Sequence, residues 1–170
     1  GYIGGIDWMY TKSIDRLGIH RMRMSDGPQG IGTKGKSTAY PATVTLAATW
    51  NENLAYQYGK ALGRDCRARN INVILGPAVN IYRAPMCGRN FEYMGEDPYL
   101  TSRICVGYIK GVQDQGVMAT VKHFVANNSD YDRNNISNDI DERTLNEIYF
   151  PAYKAAIQEA EVGAIMTSYN

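Results

Sequence analysis

The sequence lacks a dominant charge. Eighteen Lys and Arg stand against seventeen Asp and Glu, a formal net charge of +1, and the basic residues are scattered. No electrostatic footprint for nucleic acid or anionic lipid results, so the expected partners are neutral, with neither nucleic acid nor membrane among them. There is also no run of 18 apolar residues, the least a membrane-spanning helix needs. Residues 1–15 lack the basic-then-apolar order of a signal peptide, so cytoplasmic, periplasmic and secreted locations all stay open for a soluble protein. Cysteine is scarce and poorly placed for chemistry: Cys66, Cys87 and Cys105 are far apart, odd in number, and without a CxxC pair or a close His. That pattern predicts buried, inert thiols and no metal. No internal repeat, low-complexity tract or interdomain linker occurs.

What is present is an alternation of two hydrophobic periods. Strand-length apolar runs at residues 22–24, 73–75, 117–121 and 164–166 are separated by helical patterns, the signature of β/α units. Thr49, with Glu52 three residues on, reads as a capping box opening the first helix, and Leu54, Tyr58, Ala61, Leu62 and Cys66 form its inner face. Asp97 reads as the N-cap of the second, with Pro98 at the first helical position and Gly116 as its stop. The third is expected from about Asp141 to Gly163, with Leu145, Ile148, Ala152, Ala156 and Ala160 inward. Apolar strands with amphipathic helices predict a parallel sheet covered by helices.

In such folds the reactive groups stand at the C-terminal ends of strands. Asp26 closes the run RMRMSD, and Lys122 and His123 close ATVKHF; Arg89 sits in GRNFEYMGEDP (residues 88–98). Arg and Lys present only donors, a carboxylate only acceptors, and a neutral His one of each. Together they suit the vicinal hydroxyls of a sugar ring. Residues 27–49 and 76–97 are far longer than ordinary α/β loops of about 2–6 residues, as loops that build a site are. Glu96 and Asp97, ahead of a helix, read as capping and macrodipole groups, whereas Glu92 reads as a residue that orients Arg89 or Lys122. Adjacent residues on a strand point in different directions, so Lys122 and His123 face the ring together only where the strand has turned.

The ordered blocks DGPQG, PATVTLAATWN, GRNFEYMGEDP, VKHFVANN, DERTLNEIYFPAYKAAI and MTSYN resemble the N-terminal barrel domain of glycoside hydrolase family 3, whose members are mostly β-glucosidases and β-xylosidases. The resemblance covers nearly the whole chain. It implies a (β/α)₈ barrel, and because such a barrel takes about 250 residues, residues 1–170 are expected to hold its first half to two-thirds. It further implies a retaining exo-acting β-glycosidase acting on terminal non-reducing β-D-sugars, with no cofactor and with the rest of the barrel and a C-terminal domain as structural partners. By the same resemblance Asp26, Arg89, Lys122, His123, Arg133, Met166 and Tyr169 contact the sugar in subsite −1. The nucleophile and acid/base are expected C-terminal to Asn170, so no catalytic residue is assigned here.

Two other readings differ in class. A non-catalytic carbohydrate-binding or regulatory piece is the first, although an open half-barrel exposes unpaired strand edges, a poor state for a soluble protein. The second is a nucleotide site: Gly30, Gly35, Lys36 and Ser37 satisfy G-x-x-x-x-G-K-[ST]. That motif needs a strand directly before it and a helix starting at the Lys. DGPQ intervenes on one side, and Pro41 opposes a helix on the other.

Overall fold

The computed structural model describes residues 9–32 and 36–170. Its frame is four strands: β1 (Met24–Asp26), β2 (Val73–Leu75), β3 (Met118–Phe124) and β4 (Ala164–Thr167). They pair in chain order, every pair parallel. The β1–β2 crossover carries α1 (Thr43–Ala47) and α2 (Glu52–Ala68), and the β2–β3 crossover carries α3 (Pro98–Gln113). Between β3 and β4 lie α4 (Glu142–Thr144), a π turn (Leu145–Tyr149) and α5 (Pro151–Gln158). Sequential parallel strands with helical crossovers form about half of a (β/α)₈ barrel.

Period-2 alternation divides the sheet's two faces. Ile74, Ala119 and Val121 join the helices in the main core, with Leu62, Cys66, Ile104, Tyr108, Val112 and Tyr153. Met24, Val73, Leu75, Met118 and Met166 form a second cluster with Met9. Along β3, Met118, Thr120 and Lys122 follow one another on this second face, which turns from apolar to cationic toward the strand's C-terminal end. β3 runs three residues past the predicted run. Lys122 and His123, 3% and 0% exposed, are buried with partners of their own.

Three local expectations change. Asn51, rather than Thr49, caps α2 by accepting from the Leu54 N–H at 2.9 Å. The Thr49 hydroxyl is engaged with the Leu46 carbonyl at 2.7 Å, because α1 ends just before it. Tyr58, Leu62 and Cys66 face inward as expected, but Ala55 and Gly59 share that face and Leu54 is 43% exposed. The third helix is broken into segments because Pro151 has no N–H to offer the preceding turn, and the Phe150 N–H reaches back five residues to the Leu145 carbonyl. Asp97 and Asp141 cap their helices as expected. All three cysteines are free and buried; desolvation pushes the Cys66 thiol up to about 12, with Asp65 adding to it, which keeps it protonated and inert.

Candidate functional site

The site begins at the C-terminal end of β1. Asp26 ends the strand, and its carbonyl accepts from the Gly32 N–H at 2.9 Å, folding the DGPQG segment back on itself. That fold needs glycine at position 27, where φ is +143° and a Cβ would stand 1.6 Å from the Gly30 carbonyl oxygen. The pocket beyond has a volume of about 540 Å³ and collects Asp26 from β1, Arg89, Phe91 and Glu92 from the long loop after β2, Lys122 from β3, Arg133 from the loop after β3, and Tyr169 from beyond β4. The size lies within the range of about 300–1,000 Å³ usual for small-molecule sites.

Glu92 organises the cationic wall. One carboxylate oxygen accepts from Arg89 Nε, and the other lies 3.1 Å from Lys122 Nζ. Thr43 holds the Glu92 backbone by donating to its carbonyl at 2.7 Å. Glu92 therefore orients both cations. Burial draws the Arg89 pKa down, but the Glu92 carboxylate overrides it and holds the guanidinium above its usual range. Arg133 pairs with Asp130 at 2.7 Å, and its guanidinium carbon lies 4.2 Å from the Tyr169 ring centroid, with that of Arg89 at 5.5 Å. Tyr169 is thus the aromatic partner of two cations. Among the described residues, the Asp26 carboxylate makes no hydrogen bond or ion pair, and Asp26 is exposed. The pocket therefore pairs one unengaged acceptor group with several oriented donors.

Asp26, Arg89, Lys122, Arg133, Tyr169 and Glu92 are brought together; two of the predicted site residues are not among the lining. Met166 packs into the apolar cluster with Met9, Val73 and Leu75. His123 lies behind Tyr169, ring centroids 5.5 Å apart. A register shift between Lys122 and Phe124 makes His123 the extra residue of a bulge, and of the two adjacent residues Lys122 lines the pocket while His123 is buried beside it. Burial, with Arg89, Lys122 and Arg133 nearby, lowers the His123 pKa to about 2, so the ring is neutral.

Other lining residues gave no clear signal in the sequence. Phe91, 58% exposed, stands at the rim, and its carbonyl accepts from Gln29 Nε2, which ties the loop after β1 to the loop after β2. The two loops' lengths marked them as site-building, but not these positions within them. The P-loop pattern takes no P-loop geometry: Gly35 lies outside the described residues, residues 36–42 are not helical, and Ser37 Oγ donates to the Ile31 carbonyl. Gly30, Gly32 and Ser37 instead border the same pocket as Asp26. No group of three or more His, Cys, Asp or Glu suited to a metal occurs among the described residues.

Residues 6–170 match the model of the glycosyl hydrolase family 3 N terminal domain. The chain is 43% identical over 182 residues to thermostable beta-glucosidase B of Acetivibrio thermocellus, covering 100% of this chain and 24% of that protein. It is 49% identical over 168 residues to a beta-glucosidase of Bacteroides ovatus, covering 91% and 22%. Among solved structures, beta-glucosidase 3B from Thermotoga neapolitana in complex with glucose superposes with a TM-score of 0.90 at 39% identity, covering 95% of this chain and 24% of that one. The beta-glucosidase from Kluyveromyces marxianus in complex with glucose gives 0.93 at 42% identity, covering 95% and 20%. The chain thus spans between 20% and 24% of the length of these relatives.

Proposed function

The chain belongs to glycosyl hydrolase family 3, and from that membership we propose that it builds most of subsite −1 of a longer, retaining exo-β-glucosidase, which holds the terminal non-reducing sugar of a β-glucoside. The carrying observation is the unengaged Asp26 carboxylate sharing one pocket with Arg89, Lys122 and Arg133. A hexose edge carries several vicinal hydroxyls, each both donor and acceptor. Asp26 accepts hydrogens from two of them, and the cations donate to their oxygens. Hydrogen bonds to charged groups are worth about 1.5–3 kcal/mol each, enough to hold a neutral sugar in water. That both superposed structures named above contain glucose supports the same ligand class here.

In this reading the wall positions the ring and does not break the bond. Retaining hydrolysis takes a carboxylate nucleophile that forms a glycosyl-enzyme, and a second carboxyl that protonates the leaving group and then activates water. Both belong to parts of the enzyme outside these residues. The wall's contribution rises as the ring flattens toward an oxocarbenium ion, provided its groups are already oriented, and Glu92 supplies that orientation for Arg89 and Lys122. The test is a crystal of the full-length enzyme soaked in glucose. Two sugar hydroxyls within hydrogen-bond distance of the Asp26 carboxylate are expected; a glucose bound elsewhere, with this pocket holding only water, overturns the proposal.

A further inference from the structure

The polar surroundings of His123 settle which of its ring nitrogens carries the hydrogen. The His123 backbone N–H lies 2.8 Å from Asn80 Oδ1, and the His123 carbonyl 3.0 Å from Asn80 Nδ2. A backbone N–H can only donate and a carbonyl can only accept, so these two bonds fix the orientation of the Asn80 amide. Its Oδ1 is therefore an acceptor, and it also stands 3.2 Å from His123 Nδ1. Nδ1 can bond to it only by carrying the hydrogen. In a neutral ring that leaves Nε2 bare. Nε2 is buried and has no hydrogen-bond partner, in a residue that is 0% exposed and lies against Tyr93 and Tyr169.

We propose that Asn80 is a positioning residue: its amide holds His123 as the Nδ1–H tautomer, so that Nε2 serves the pocket as an acceptor for a hydroxyl hydrogen of the bound sugar. The hydrogen on Nδ1 stands on the Asn80 geometry, and the bare Nε2 follows because burial among three cations keeps the ring neutral; the assignment of the hydroxyl rests on the carbohydrate reading above. Its chemical sense lies in the balance of the wall. Arg89, Lys122 and Arg133 offer only donors, and the Glu92 carboxylate is engaged with two of them, which leaves Asp26 as the one unengaged carboxylate in the pocket lining to accept hydroxyl hydrogens turned inward. A bare imidazole nitrogen behind Tyr169 supplies a second, uncharged acceptor at a different place. Reaching it requires the Tyr169 side chain, 41% exposed, to give way to the ligand.

The test is long-range ¹H–¹⁵N correlation of the imidazoles in the ¹⁵N-labelled full-length enzyme. A His123→Gln variant, which lacks this imidazole, assigns its signals. His123 is expected to show a protonated Nδ1 and an unprotonated Nε2, and the Nε2 resonance should shift on titration with glucose. Asn80→Asp, which keeps an acceptor for Nδ1–H, should retain the tautomer; Asn80→Ala should release it to a mixture and weaken glucose binding by about tenfold, the factor of one hydrogen bond. A protonated Nε2 in the unsubstituted chain overturns the assignment without recourse to any variant. The expected tautomer, with glucose moving the Lys122 and Asp26 amides but leaving Nε2 unmoved, overturns the acceptor role. The expected tautomer with no response to glucose anywhere overturns the carbohydrate reading and upholds the positioning by Asn80.

Discussion

Lys122 and Glu92 form a buried ion pair, Nζ to Oε2 3.1 Å, with each side chain 3% exposed. Removing one member of such a pair leaves the other charge without compensation in a poorly solvating interior, at a cost of about 3–5 kcal/mol. Here Glu92 serves Arg89 as well. Glu92→Ala is therefore expected to lower the unfolding free energy by about that amount in urea titrations. The double variant with Lys122→Ala should lose less than the sum of the two single changes, the mark of direct coupling.

Gly111 supplies a second stability test because its direction is opposite to helix propensity. Gly to Ala in an exposed helix interior is ordinarily stabilising by about 0.5–1 kcal/mol. A Cβ at Gly111 in α3, however, would stand 2.1 Å from the Tyr56 carbonyl oxygen and 2.7 Å from Lys60 N, both in α2. Gly111→Ala should force the two helices apart and destabilise by about 1–3 kcal/mol, read as a fall in the urea midpoint at unchanged slope.

His123 gives the acid limb of stability a sign. Its folded pKa, about 2, lies below the ordinary 6.5 because burial and then the Arg89, Lys122 and Arg133 charges oppose protonation. Below pH 6.5 the unfolded chain binds a proton that the folded chain refuses. The contribution of this group is complete above that pH and is lost progressively as pH falls toward 2. A His123→Gln variant should show a shallower loss of stability between about pH 6 and pH 3 than the unsubstituted chain.

Nucleotide binding is expected to be absent. Lys36 begins no helix, and Ser37 is tied to the Ile31 carbonyl, so the donors of a phosphate cradle are not assembled. Calorimetry with millimolar ATP or GTP and Mg²⁺ should give no saturable heat. Lys36→Ala in the full-length enzyme should leave glycosidase activity unchanged.

What could be read in advance was the part fixed by local pattern. Apolar runs between amphipathic stretches gave four strands and three helical crossovers, and a charged residue closing an apolar run placed Asp26 at the end of β1 and Lys122 near the end of β3. The cap of α2 was misplaced because Thr49 closes α1, an element too short to announce itself by periodicity. The division of labour at Glu92 was open because its two partners lie 3 and 30 residues away, and only the folded chain brings them to one carboxylate. The Asn80–His123 clamp spans 43 residues and leaves no periodic trace. Lys122 on β3 and Met166 on β4 are register partners, yet Met166 packs toward the apolar cluster and Lys122 into the pocket, a choice made by side-chain packing that strand alternation cannot express.

The central claim is that Asp26 holds the sugar. Its most direct test is kcat/KM for an aryl β-glucoside in the full-length enzyme carrying Asp26→Ala, with thermal unfolding as the control for folding. Loss of roughly 3 kcal/mol of transition-state contacts predicts a fall of about 10²-fold or more. The unfolding midpoint should be nearly unchanged, because the carboxylate has no partner among the described residues. Wild-type kcat/KM in a folded Asp26→Ala enzyme would contradict the account and leave Asp26 as no more than the residue that starts a turn.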